Sequence, residues 1–136
     1  MATFNKFYSF PRVVAEGNLE SDTLKIFLTN DTPAVTDVQK SDLSEVANGN
    51  GYTTGGATIT VSSSTQTAGL YELSIASDIT WTASGGTIGP FRYVVQYDDT
   101  LAGDPLLGWW DYGSEITLVD TQPFTAEVSG TILNGY

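Results

Sequence analysis

The chain contains neither cysteine nor histidine. Without cysteine there are no disulfides, no thiolate metal ligands and no thiol nucleophile. Without histidine, the commonest general base and the commonest transition-metal ligand are both missing. Positive charge is scarce too. Five Lys and Arg stand against 16 Asp and Glu, giving a net charge of −11 over 136 residues. Such a surface repels phosphate backbones and anionic headgroups, which argues against direct nucleic-acid or membrane binding. No apolar run approaches the roughly 20 residues needed to span a bilayer, and no basic start precedes an apolar segment. Synthesis in the cytoplasm is the expectation.

What the chain does contain is Thr, Ser and Gly between short β-branched and aromatic runs. Length and pattern predict one mostly β domain, an antiparallel sandwich or barrel of seven or eight strands. Leu24, Ile26 and Leu28 alternate with Lys25, Phe27 and Thr29 in a clear strand. Ser41, with Glu45 nearby, is expected to open one helical turn through Ala47. Residues 48–56 are rich in Asn and Gly and suit a loop with tight turns. Further strands are expected at 58–61, from Leu70, at 79–81, 91–97, 106–112, 115–119, 123–128 and 131–133. The first 17 residues stand apart as an N-terminal arm or short helix before a domain spanning 18–136. Phe4, Phe7 and Phe10 have helical spacing, Ser9 suits a cap, Pro11 a first turn and Gly17 an end.

The strongest signal is the strand beginning at Gly89-Pro90 and its successor with adjacent tryptophans. Neighbouring residues on a strand face opposite ways, so Trp109 and Trp110 cannot share one single-sided core. One of them must meet a second surface, of this chain or of another molecule. Parity with Leu107 assigns Trp109 the inward side. Trp109, Trp110 and Tyr112, with Phe4, Phe7 and Phe10, are therefore the candidate interface residues. Arg92 joins them, set among aromatics and suited to planar carboxylate pairing or ring stacking.

Chemical sites are weaker. Asp98, Asp99, Asp104 and Asp111 are dense enough to suggest a hard cation, but they lack an ordered Asp-x-Asp-x-Asp-Gly series, and turns favour Asp in any case. Glu72, Glu115 and Glu127 read as a solvated sheet face more readily than as a glycosidase pair. A serine triad cannot be built without histidine, and the Asn48–Gly56 stretch lacks the lysine of a phosphate loop. No enzyme, cofactor or metal is expected. Aromatic stacking on sugars by Tyr97, Trp109, Trp110 and Tyr112 is the alternative binding chemistry.

Three segments carry a family resemblance: Leu19–Asn30 (LESDTLKIFLTN), Gly49–Thr60 (GNGYTTGGATIT) and Thr82–Gly113 (TASGGTIGPFRYVVQYDDTLAGDPLLGWWDYG). They resemble small structural proteins of tailed-bacteriophage virions, similar to capsid cement, or decoration, proteins. The resemblance implies a jelly-roll-like β-sandwich and a homodimer on the outer capsid surface. It also implies the major capsid protein as partner and a role in holding the shell against internal DNA pressure. A tail or fibre component and a carbohydrate-binding module are the alternatives.

Overall fold

The computed structural model describes residues 4–19, 21–68 and 70–134. Ten strands and one short helix follow in order: β1 (Phe4–Lys6), α1 (Phe10–Glu16), β2 (Leu24–Thr29), β3 (Ala57–Ile59), β4 (Val61–Thr67), β5 (Leu70–Ile75), β6 (Ile79–Thr82), β7 (Ile88–Asp98), β8 (Leu106–Leu118), β9 (Pro123–Ala126) and β10 (Gly130–Asn134). All strand pairs are antiparallel. They form a five-stranded sheet in the order β1-β8-β7-β2-β3, a three-stranded sheet β10-β5-β4 and a β6-β9 pair. The class is mostly β, an antiparallel sandwich.

The five-stranded sheet is apolar on both faces. On one side lies the larger core, where Phe10 and Val13 of α1 meet Leu24, Ile26, Leu28, Val94 and Trp110, with Leu73, Ile75 and Trp81 from the other sheets. On the other side, Phe7, Phe27, Leu43, Tyr93, Val95, Tyr97 and Leu106 form a smaller core. Alternation along β2 and β7 therefore sorts residues between two cores, not between core and water. This is why Phe27 is as buried as Ile26 and Leu28.

Several expected elements differ. The two strands expected at 106–112 and 115–119 are one strand of 13 residues, Leu106–Leu118. The strand expected at 58–61 breaks at Thr60, where the chain leaves β2 for the three-stranded sheet. Phe4 lies in a strand, not on a helix, because the outer side of β8 offers it open backbone groups: Phe4 pairs with Trp110 and Lys6 with Gly108. The helical turn expected from Ser41 is a 3-10 turn over Lys40–Asp42. It stops there because Val46 N donates to Leu28 O at 3.1 Å and Thr29 Oγ1 donates to Ser44 O at 2.5 Å, drawing 44–46 alongside β2. The helix at Phe10–Glu16 does have Ser9 at its cap position, Pro11 in its first turn and Gly17 at its end. The Ser9 hydroxyl caps nothing, however; it donates to Leu106 O at 2.9 Å and ties the helix start to β8.

Candidate interaction surface

The tryptophan pair divides as opposite-face geometry requires, and both surfaces belong to this chain. Trp110 is buried in the larger core with Phe4 against it, ring centroids 4.9 Å apart. Trp109 is half-buried over the smaller core, 4.6 Å from the Phe7 ring. The inward side expected for Trp109 from Leu107 is thus corrected. Tyr97 pairs with Leu106 and Gln96 with Gly108, so Leu107 is an extra residue on β8. A bulge of this kind resets the alternation. Leu107 and Trp110 share the larger core, while Leu106 and Trp109 share the smaller one.

The other expected contact residues are also engaged internally. Phe7 and Phe10 are buried. Tyr112 stands edge-on to Phe124 at 5.1 Å, and its hydroxyl accepts from Glu127 N at 3.2 Å. Arg92 makes two parallel bonds to Asp111 across the β7–β8 pair, at 2.8 and 3.0 Å, and its guanidinium lies 5.3 Å from the Tyr93 ring centre. That ion pair, with Gly113 N also donating, holds the Asp111 carboxyl below its ordinary range. Both side chains remain 38% exposed, so the pair is open to a partner.

The acidic residues separate into different surroundings. Asp111 belongs to Arg92, Asp99 lies 3.6 Å from Lys25, and Asp98 is buried. Among the described residues no three carboxylates converge as a metal site. A second charged network lies under residues 40–55. Lys40 Nζ stands 2.6 Å from Glu45 Oε1 and over the Phe27 ring at 5.0 Å. Glu45 Oε2 accepts from Tyr52 OH at 2.5 Å and Gly55 N at 2.7 Å, and Tyr97 OH donates to Gly55 O at 2.6 Å. Burial, then Glu45, push the Tyr52 hydroxyl well above its ordinary pKa. Held protonated in this way, Tyr52 donates its hydroxyl hydrogen to Glu45.

An exposed apolar patch lies elsewhere, around Tyr8, outside the seven candidate interface residues. Tyr8 is 73% exposed, and Val35 and Val38 are 37% and 43% exposed. Tyr8 N donates to Val35 O at 2.8 Å, and Val38 lines a cleft together with Ser9, the residue after Tyr8. Openings flank the segment that carries Tyr8. One, of about 270 Å³, is lined by Lys6, Phe7, Tyr8, Phe10 and Pro11. Another, of about 260 Å³, lies between Ser9, Arg12 and Val13 on one side and Val38, Leu101 and Pro105 on the other.

This geometry defines a two-core antiparallel sandwich that presents an aromatic and aliphatic patch beside two clefts. No protein-family model, curated protein or solved structure matches the chain. No helix among the described residues is long and apolar enough to cross a membrane.

Proposed function

We propose that the chain is a non-enzymatic structural protein of a tailed-phage virion, a capsid decoration protein that docks on the outer shell through the face centred on Tyr8. The observation that carries a docking role is that face. A large ring stands in water between two clefts, with two exposed valines beside it, on a molecule whose other aromatics are mostly packed inside. Large exposed patches with polar surroundings mark interaction sites, and tyrosine is a favoured anchor. The resemblance of residues 19–30, 49–60 and 82–113 to cement proteins supports the choice of a capsid as the partner, the jelly-roll-like connectivity and the dimer.

A decoration protein needs rigidity, a soluble free form and several modest contacts that add up once the first is made. Two cores on one sheet supply the first, and the −11 charge the second. The deciding experiment is mass spectrometry of separated heads and tails from the source particle, with copy number. Enrichment in heads at many copies, together with loss of head binding in Tyr8→Ala, is the expected result. Recovery with tails moves the assignment to a tail or fibre component. Glycan binding that quenches tryptophan fluorescence and is lost in the same variant moves it to a carbohydrate-binding module.

A further inference from the structure

Among the described residues, three buried side-chain polar atoms lack a hydrogen-bond partner: Nε2 and Oε1 of Gln96 and Oδ2 of Asp98. All three lie on β7, two residues apart. That spacing puts both side chains on one face, in register with Ile26 and Leu24 of β2. Gln96 is 1% exposed and Asp98 0%. Orphaned polar atoms in a core are costly, so their concentration at the end of one strand needs a cause.

Asp98 Oδ1 is fully used, accepting from Thr100 N at 2.9 Å and Leu101 N at 3.2 Å. The acidic neighbour that acts on Asp98 is the carboxyl of Asp22, which while both are ionised is an acceptor like Asp98 Oδ2 and cannot partner it. Asp22 Oδ2 in turn accepts from Asn18 N at 3.1 Å. The two loops are stitched beside this contact: Thr23 N donates to Thr100 Oγ1 at 2.7 Å and Asp99 N to Thr23 O at 2.8 Å. The end of α1 closes the spot. A Cβ on Gly17 would stand 2.7 Å from Asp22 Oδ2 and 3.1 Å from the Leu101 side chain.

Two ionised carboxylates repel each other, the more so when one of them, Asp98, is out of water, whereas one shared proton turns them into a short charge-assisted hydrogen bond. The surrounding charges do not neutralise Asp98. Asp99 lies against Lys25 of β2, and Arg12 and Glu16 of α1 pair with each other. Lys40 and Lys25 act on Asp104, which burial and Asp99 hold above its ordinary range. What acts on Asp98 is burial, Asp22 and the two backbone donors.

We propose that Asp22 and Asp98 share one proton and form a latch between the α1–β2 loop and the β7–β8 loop, closed in mild acid and loosened above neutrality. Burial first, and Asp22 second, push the Asp98 carboxyl up to about 6. With no histidine in the chain, few other groups titrate near that pH. The folded state holds a proton that the unfolded chain has released between the ordinary value of 3.8 and about 6. The latch therefore contributes stability fully below 3.8 and loses it as pH rises through about 6. Leu101, Ala102 and Gly103 wall the cleft beside Ser9 and Val38, so the latch also sets the order of that wall.

The test uses the full chain. Carbon-13 NMR of the aspartate carboxyls should give Asp98 a midpoint between about 5 and 7. Asp22→Asn places an amide donor against Asp98 and should lower that midpoint by about one unit or more. Asp98→Asn imitates the protonated acid while keeping an oxygen for Thr100 and Leu101. The wild-type unfolding equilibrium should shift about tenfold or more towards unfolding from pH 5 to 7.5. Asp98→Asn should remove most of that shift, and amide protection at Thr100 and Leu101 should follow it. An Asp98 midpoint at or below about 4.5 in the wild type overturns the latch, whether or not the variants fold. A midpoint unchanged in Asp22→Asn overturns the sharing and leaves burial alone as the cause.

Discussion

Trp109 and Trp110 are neighbours in the chain, yet the sheet between them makes them residues of different cores. Trp110→Ala removes a fully enclosed indole and the surface on which Phe4 rests. It should cost roughly 3–5 kcal/mol of stability, read from urea unfolding. Trp109→Ala empties a half-covered site over Phe7 and should cost less, about 1–2 kcal/mol. Equal losses would show that the two cores are not separately filled. Tyr8 behaves differently again. Because its ring is mostly in water, Tyr8→Ala should leave stability within about 0.5 kcal/mol of the parent while weakening attachment to heads in a co-sedimentation assay. Of the seven contact residues named from sequence, the adjacent tryptophans carried real information, since a second surface does exist. That the surface is internal was not legible, because the one-residue bulge at Leu107 and the folding-back of Phe7 are tertiary events with no local signature.

At the scale of elements, β1 is short and its apolar payload large. Its three residues bond to β8, Phe4 covers Trp110, and Phe7 immediately after it enters the smaller core. Gly108 makes the approach possible, because a side chain there would occupy the place of the Phe4 ring. Gly108→Val should therefore release β1 without rearranging β7. The expected result is faster amide exchange at residues 4–7, with protection at Val94 and Val95 retained. Removing residues 1–9 should go further and lower the melting temperature, since Phe7 leaves with the strand. The helical spacing of Phe4, Phe7 and Phe10 was a sound reading of periodicity that failed for a definite reason. All three rings turn into the protein, but a strand, a turn and a helix start deliver them, Phe4 and Phe10 to the larger core and Phe7 to the smaller one. The strands around Leu24–Thr29 and Phe91–Tyr97 were legible because β-branched and aromatic residues cluster without breakers. The join of 106–112 to 115–119 was not, since Gly113 and Ser114 read as a turn but continue the strand.

The whole molecule is an acidic body with charges tied down in particular ways. Asp42, Asp78 and Asp111 sit below the ordinary carboxyl range, the first two through backbone donors and the third through Arg92. Their contribution is present above the ordinary value of 3.8 and is lost as pH falls through their lower folded values. Asp98 works in the opposite sense, and the −11 net charge adds self-repulsion as acids ionise. The melting temperature should therefore peak at about pH 4–5.5, on the acid side of neutral, and fall on both flanks. A scan by calorimetry in matched ionic strength checks this; a plateau from pH 6 to 8 above every acid value would contradict it. Salt bears on the proposed docking in a related way. An apolar anchor such as Tyr8 should hold the protein on heads at about 0.5 M salt, where surface charges are already screened.

The pairing of β1 with β8 also has a consequence during biosynthesis. Phe4 and Trp110 lie roughly a hundred residues apart in the chain, so at ordinary ribosomal speeds the first waits about 5–20 s for the second. Throughout that interval Phe4, Phe7 and Phe10 are a nascent aromatic cluster with no sheet to cover it. Such a segment is a natural client for a chaperone that meets chains near the ribosomal exit. A ribosome stalled before Leu106 should present the cluster to protease and holdase alike, and one stalled well after Leu118 should not.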